Sequence, residues 1–527
     1  MLAAQPIIKA PTFKKDTLSI VKFGAVPDGN TLNTSSINTA IQTLSKKGGG
    51  VVLVPPGLWL TGPVELKSNI NLYLQSGSTL LFTKDLSQYP LVKGNWEGMP
   101  QMRNQSPIYA TNAVNIAITG KGIIDGNGDA WRMVKKDKLN ETQWKRLVSS
   151  GGILSDDKKT WYPSEKSLKG SKLQNPGVIS AEKDAAFYES IKDFLRPNLL
   201  LLTTCKNILL DGITFQNSPA WCLHPLMCEQ LSVRNISVKN PWYAQNGDGI
   251  DVESCKNVLI ENSVFDVGDD ALCMKSGRDE EGRKRGMPTE NVIIRNNTVY
   301  AAHGGFVIGS EMSGGVKNMW VYNCTFIGTD IGLRFKTTRG RGGVVENIYV
   351  HDIYMKDIVG EAILFDMYYM AKDPIPLAGE KRELPKVEFK TVDESTPVFR
   401  NFQISRVYCN GADKAIFVRG LPEMHVKNIL LEDMVLTADK GFDIQEASGI
   451  TFRNIRVNSK ETTPVIDVVQ SDNLNFENIT YPNGSELLFR INGERSSSIN
   501  IRKTDASKAK EKIAYELGAS EKSVTIK

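Results

Sequence analysis

No run of apolar residues in this 527-residue chain approaches membrane-spanning length. The longest, such as Leu199-Leu200-Leu201-Leu202, stop far short of the roughly 18 residues that a spanning helix needs. The chain also lacks an excess of either charge: 64 Lys+Arg against 59 Asp+Glu leave +5, spread along the sequence. So weak a field does not point to nucleic acid. Its seven cysteines (205, 222, 228, 255, 273, 324 and 409) include no CxxC pair, and an odd number cannot all pair within one chain. Buried free thiols are expected. Nor do Met1-Leu2-Ala3-Ala4-Gln5 carry the basic and long apolar regions of a secretory signal.

With 41% hydrophobic and 23% charged residues, the composition is that of a globular chain with ample core material. Length alone would suggest about three domains, unless a repeat builds one long unit. A repeat is present. Asn, an apolar-x-apolar step, a polar residue, Asn or Asp, and a second apolar-x-apolar step recur from Asn207, Gln230, Asn257, Asn291, Asn318, Asn347, Asn401, Asn428, Gly449 and Asn473. Weaker copies start at Asn69 and Asn115. Successive starts lie 21 to 34 residues apart, with one gap of 54, the range of one solenoid coil. Period-2 alternation marks short strands, and the central Asn, Asp or Gly tolerates a left-handed corner. The expected fold is an all-β, single-stranded, right-handed parallel β-helix forming one domain over residues 1–527. Inward residues of successive coils would stack in columns, the cysteines among them.

Exposed solenoid ends need plugs. Ser35-Ser36 followed by Ile37, Ala40, Ile41 and Leu44 predicts a capping amphipathic helix at the start. Residues 505–527 read as a C-terminal cap, with a second helix from Asp505 to Leu517. Residues 129–196, charged and bearing Trp131, Trp144 and Trp161, break the rhythm and predict an inserted lobe beside the groove, helical in part over 181–195. A polar loop is expected at 372–397.

The strand after each copy can be aligned on its inward residues Ile250, Leu272, Phe306, Leu333 and Ile363. In that register Asp248, Asp270 and Gly304 share one column, and Asp269 and His303 the column beside it. Strands about 4.8 Å apart make these a compact patch. Arg334 and Lys336 point outward on the same face, because Leu333 and Phe335 point inward. Lys275 and Glu253 share the column of Lys336. Three packed carboxylates repel one another and drive at least one pKa upward, giving an acid beside a base, as glycoside hydrolysis requires. Two adjacent cations would bind an anionic substrate group. Singly, each residue has a plain structural reading as a turn residue, a structural His or a solvated face. The coincidence of all six on adjacent coils favours the site.

These residues resemble glycoside hydrolase family 28, the polygalacturonases, whose motifs read here as Asn246-Gly247-Asp248, Gly268-Asp269-Asp270, His303-Gly304-Gly305 and Arg334-Phe335-Lys336. The opening Phe23-Gly24-Ala25-Val26-Pro27-Asp28-Gly29 is similar to the start of many pectin-acting β-helices. The resemblance implies hydrolysis of α-1,4-galacturonosidic bonds with inversion. Asp269 would protonate the leaving oxygen, Asp248 and Asp270 would activate water, His303 would tune the protons, and Arg334 and Lys336 would hold the substrate carboxylate. No metal or organic cofactor is implied. The partner is an acidic pectic oligosaccharide or polysaccharide, and an extracytoplasmic substrate implies a periplasmic or secreted protein with its signal trimmed. Oligomeric state is not encoded legibly.

Gly247 replaces the family's usual Thr and Phe335 its usual Ile. His303-Gly304-Gly305 replaces the Gly-His-Gly of many endo-acting members. That motif, Gly309-Ser310-Glu311-Met312-Ser313-Gly314-Gly315 and Trp221-Cys222-Leu223-His224-Pro225 look more like exo-acting bacterial members. The lobe could wall off one end of the groove, which also predicts exo action. Trp221 and His224 are candidates for the sugar-binding wall and equally for the core; Lys275 is a candidate substrate contact. Open alternatives are a rhamnogalacturonan-type hydrolase, a Ca²⁺-dependent pectate-lyase-like eliminase and a non-catalytic glycan-binding solenoid.

Overall fold

The computed structural model describes residues 5–370 and 388–527. Most of the polar loop expected at 372–397 lies outside them. The chain groups into two compact units, Pro6–Cys273 and Met274–Lys527. Each is built of parallel strands stacked in successive coils, the right-handed parallel β-helix that the repeat predicts.

In the first unit the strand Lys206–Asp211 lies between Val114–Gly120 and Glu229–Arg234, and the latter pairs onward with Lys256–Glu261. The registers Ile208↔Leu231 and Leu231↔Val258 make an inward apolar column. On a second face Leu200, Leu223 and Ile250 stack likewise. The second unit repeats the arrangement with longer strands: Met319, Ile348, Phe402, Ile429 and Ile450 form one column, and Phe306, Leu333, Ile363, Ile416 and Phe442 another. Phe306, Leu333 and Ile363 share this column as their alternation predicts. All seven cysteines are buried and free.

The corners explain the recurring Asn. Every repeat start from Asn69 to Asn473 has positive φ, between 51° and 66°, as do the central Asn235, Asn262, Asn296, Asn323 and Asn454. The left-handed region disfavours other L-residues, so a short amide that bonds locally suits both corners. The amides also form ladders between coils. Asn207 donates to Asn115 and Asn115 to Asn69, both at 3.0 Å; Asn347 donates to Asn318 and Asn318 to Asn291, both at 3.2 Å.

The capping helix is Thr34–Lys46, burying Ile37, Ala40, Ile41 and Leu44 as predicted. Its N-cap is Asn33, whose side chain bonds Val26 and Leu60 instead of the helix. The C-terminal expectation of a helix is corrected: Ala509–Glu516 is a strand, paired in parallel with Ser485–Asn492 through Phe489↔Ile513 and Ile491↔Tyr515. An open edge strand offers unpaired N–H and C=O groups, and Ile513 and Tyr515 already have strand spacing.

Within 129–196 the helices are Glu141–Ser149, Glu165–Ser171 and Ala185–Glu189, with a small antiparallel sheet of Val134–Lys135, Thr160–Tyr162 and Ile153–Leu154. Val134, Trp144 and Trp161 form its core. The helix expected over 181–195 shrinks to Ala185–Glu189 and a 3-10 turn, Lys192–Phe194. An antiparallel hairpin, Leu91–Trp96 with Met99–Asn104, has no counterpart in the repeat pattern. No helix among the described residues is long and apolar enough to cross a membrane.

Replacing Asn318 by Ala removes one ladder donor, one ladder acceptor and the residue best suited to φ 57°. About 1–2 kcal/mol of stability should be lost. Denaturant unfolding should show a smaller loss for Asn318→Gly, which keeps the backbone freedom.

Candidate functional site

Asp248 precedes the strand Ile250–Glu253, and Asp269 precedes Asp270, the first residue of Asp270–Lys275. The two turns are held at strand spacing: Gly249 N–H donates to the Asp270 carbonyl at 2.9 Å, and a Cβ on Gly249 would stand 2.5 Å from the Ala271 oxygen. Consequently Asp248, Asp269 and Asp270 each bring a carboxylate oxygen within 4.8 Å of the others. Asp248 and Asp270 are 3% and 1% exposed, whereas Asp269 is half-buried. The Asp269 carboxylate accepts from the backbone N–H groups of Asn246 (3.3 Å) and Asp270 (3.0 Å). The trio thus has two sheltered members and one that reaches solvent, an arrangement suited to moving a proton and holding a water. The same spacing could hold a cation.

The turn before Asp248 is fixed by residues that the motifs do not contain. Arg196, at the end of the lobe, donates to the carbonyls of Pro219 (3.1 Å) and Gln245 (2.9 Å) and to the Asn246 side chain (2.8 Å). Burial, with Arg132 nearby, lowers its pKa to about 10, against the opposing pull of Glu97, Asp248 and Asp269. Asn246 itself has φ 54°. Asn240 donates to the Gly247 carbonyl at 3.0 Å. The departure at Gly247 has a packing reason: a Cβ there would come within 2.8 Å of Ala244 Cβ. A Cβ on Gly268 would meet the carbonyl oxygens of Pro241, Trp242 and Ala244 at 2.5 to 3.0 Å. Both glycines let the loop 241–244 seat against the two aspartate turns. Nothing local in the sequence marks Arg196, which acts across coils, or Asn240, which bonds a carbonyl seven residues ahead.

Trp221 and His224 lie in the core rather than at a sugar-facing wall, 2% and 0% exposed. Trp221 stacks on Trp96 at 5.2 Å, and the Arg103 guanidinium lies 3.9 Å from the Trp96 ring centre. His224 bridges Asn198 and Glu253, at 2.9 Å from each, and Glu253 is itself fully buried.

In the second unit His303 stands before the strand Gly304–Ile308, 3.6 Å from Asp330 and partly exposed. Gly305 is required by packing, because a Cβ would lie 2.5 Å from the Phe326 ring. Arg334 and Lys336 lie on Ile331–Lys336 and share a face, with their charged groups 5.6 and 4.7 Å from the centre of the Tyr369 ring. Arg334 also donates to the His303 carbonyl at 3.4 Å. Phe335 packs inward against Phe365 and Phe402. Lys275 is 4% exposed and paired with Glu311 at 2.8 Å. That burial leaves it little surface for a substrate contact. Burial opposes ionisation of Glu311, but Lys275 and Arg341 outweigh it and hold the carboxyl at about 2.

The fold and the cluster together define a parallel β-helix with three carboxylates gathered on adjacent coils. A family profile described as "Glycosyl hydrolases family 28" matches residues 180–405. The chain is 32% identical to a hyperthermoactive exopolygalacturonase from Thermotoga maritima, with a TM-score of 0.65, covering 82% of this chain and 89% of that one. It is 33% identical over 348 residues to a Vitis vinifera protein named "Probable polygalacturonase", and 30% identical over 366 residues to the exo-poly-alpha-D-galacturonosidase of Dickeya chrysanthemi. These alignments cover 64% and 67% of this chain, and 60% and 57% of the respective relatives' length. The chain belongs to glycosyl hydrolase family 28.

Arg196→Lys keeps the charge but cannot reproduce the forked contact. Amide exchange over residues 245–249 should then quicken by roughly tenfold or more. For Glu311 the sign follows from a folded pKa of about 2 against an ordinary 4.5. Its contribution is complete above the ordinary value and lost as the pH falls toward the folded one. Glu311→Gln should therefore lower stability at neutral pH and flatten the unfolding profile between those two values.

Proposed function

We propose that this protein is a glycoside hydrolase that cleaves α-1,4-linked galacturonic acid from pectin or pectic oligosaccharides, acting from chain ends and with inversion. The observation that carries the reading is the trio of aspartates with mutual oxygen distances within 4.8 Å, in a family 28 chain. Asp269, the most accessible of the three, is assigned as the acid that protonates the leaving glycosidic oxygen. Asp248 and Asp270 are assigned as the base pair that polarises the attacking water, which loses its proton as the bond to the anomeric carbon forms. His303 would adjust the proton inventory. Arg334 and Lys336 would hold the sugar carboxylate, Arg334 through its planar fork.

Carboxylates this close leave no room for a water between them at the separation of about 6.5–9.5 Å usual for inversion. The water therefore belongs beside the trio, held by two of its members. End-on action is supported by the two exo-acting relatives named above and by the inserted residues 129–196. A pectic substrate places the protein in the periplasm or outside the cell.

Asp269→Asn should lower kcat on oligogalacturonides by a factor of about 10² to 10⁴ while KM changes little. Proton NMR of the first product should show the β-anomer, and polygalacturonate should release single uronic acids with little early loss of viscosity. Full hydrolysis by the variant would overturn the acid assignment. A retained α-anomer would refute inversion, and a rapid fall in viscosity with few new reducing ends would refute exo action.

A further inference from the structure

Seven of the eight tryptophans are at most 9% exposed, whereas Trp242 is 51% exposed. Leaving so large an apolar side chain half in water forgoes on the order of 1–2 kcal/mol of burial. The segment that carries it is nevertheless firmly anchored. Tyr243 packs against the lobe core of Val134, Trp144 and Trp161, Ala244 is buried, and Asn246 donates its N–H to Asp269. The Trp242 carbonyl oxygen stands 3.0 Å from where a Gly268 Cβ would be, so the backbone that carries the indole lies against the residue preceding Asp269. From the lobe, the Lys138 ammonium lies 5.9 Å from the Trp242 ring centre. A cleft of about 420 Å³ is lined by Leu139 and Tyr243, the chain neighbours of Lys138 and Trp242, with Gln143, Arg146 and Trp161 among others.

We propose that Trp242 and Lys138 form a sugar-contacting subsite in which the exposed indole stacks on a pyranose ring and the ammonium pairs with the carboxylate of that same sugar. The proposal rests on the galacturonide reading above and assigns the lobe a share in substrate selection. A pyranose presents a face of C–H bonds that matches the electron-rich indole face, and ordering the indole costs little because its loop is already fixed. A neutral sugar would use the indole but leave the ammonium without its partner. Only an acidic sugar engages both, which gives the subsite a preference for free uronates over their esters.

The test uses the full chain with di- to hexagalacturonate as probes. Trp242→Ala should raise KM for the trimer roughly tenfold or more, with kcat held within about threefold. Trp242→Phe should raise it less. Lys138→Gln should raise KM for the free acid but not for its methyl ester. In Asp269→Asn, added trigalacturonate should protect tryptophan fluorescence from acrylamide quenching, and the protection should vanish in Asp269→Asn/Trp242→Phe. An unchanged KM in Trp242→Ala, a loss confined to kcat, or the absence of protection overturns the subsite. Wild-type protein that releases no galacturonic acid from any probe overturns the activity reading instead. In that event the fluorescence titration with the same trimer still decides the subsite, since protection supports acidic-sugar contact and its absence refutes it.

Discussion

Backbone hydrogen bonds between parallel strands set the spacing on which the rest of this protein depends. Each coil lies one strand spacing, about 4.8 Å, from the next, so residues far apart in sequence become neighbours wherever their registers agree. The apolar columns Ile208–Leu231–Val258 and Phe306–Leu333–Ile363 and the asparagine ladders are expressions of that one constraint. So is the aspartate trio, brought together because Gly249 and Asp270 share a ladder bond. The left-handed corners make this repeat possible: a chain that must turn at the same place in every coil needs a residue that accepts positive φ there, and asparagine adds a bond to its counterpart in the next coil.

Gathering three carboxylates at such spacing is costly, since buried like charges repel and lose hydration. The surrounding polar atoms offset that cost. Asp269 receives two backbone N–H groups, and the buried Arg196 grips the turn that carries Asp248. Glycines at 247, 249 and 268 permit the close backbone approach that this packing needs. In the second unit the same logic recurs with opposite charge: Lys275 and Arg341 are balanced by the ionised Glu311.

The repeat spacing was enough to read the fold, because inward-facing apolar residues and corner asparagines recur at the fixed offsets that stacked coils require. The registers of Phe306, Leu333 and Ile363 were equally legible, since side-chain alternation has a period of two. Trp221 and His224 were not. A tryptophan and a histidine beside a motif read alike whether they face a ligand or the core, and only the stacking on Trp96 and the bridge to Glu253 assign them to the interior. The tail misled for a related reason. Its alanines and Ile513 suit a helix locally, but an edge with unpaired backbone groups drew the segment into the sheet.

The sequence by itself therefore determined the solenoid, its amino-terminal cap, the aspartates of its acidic cluster and the family whose motifs they match, because each is written as a periodic or contiguous pattern. The tertiary structure alone decided which residues hold those aspartates in place, which tryptophan remains in water and which cations are buried in pairs. Arg196, Glu311 and Trp242 owe these roles to neighbours many residues away, and no local pattern records a contact made across coils or from an inserted lobe.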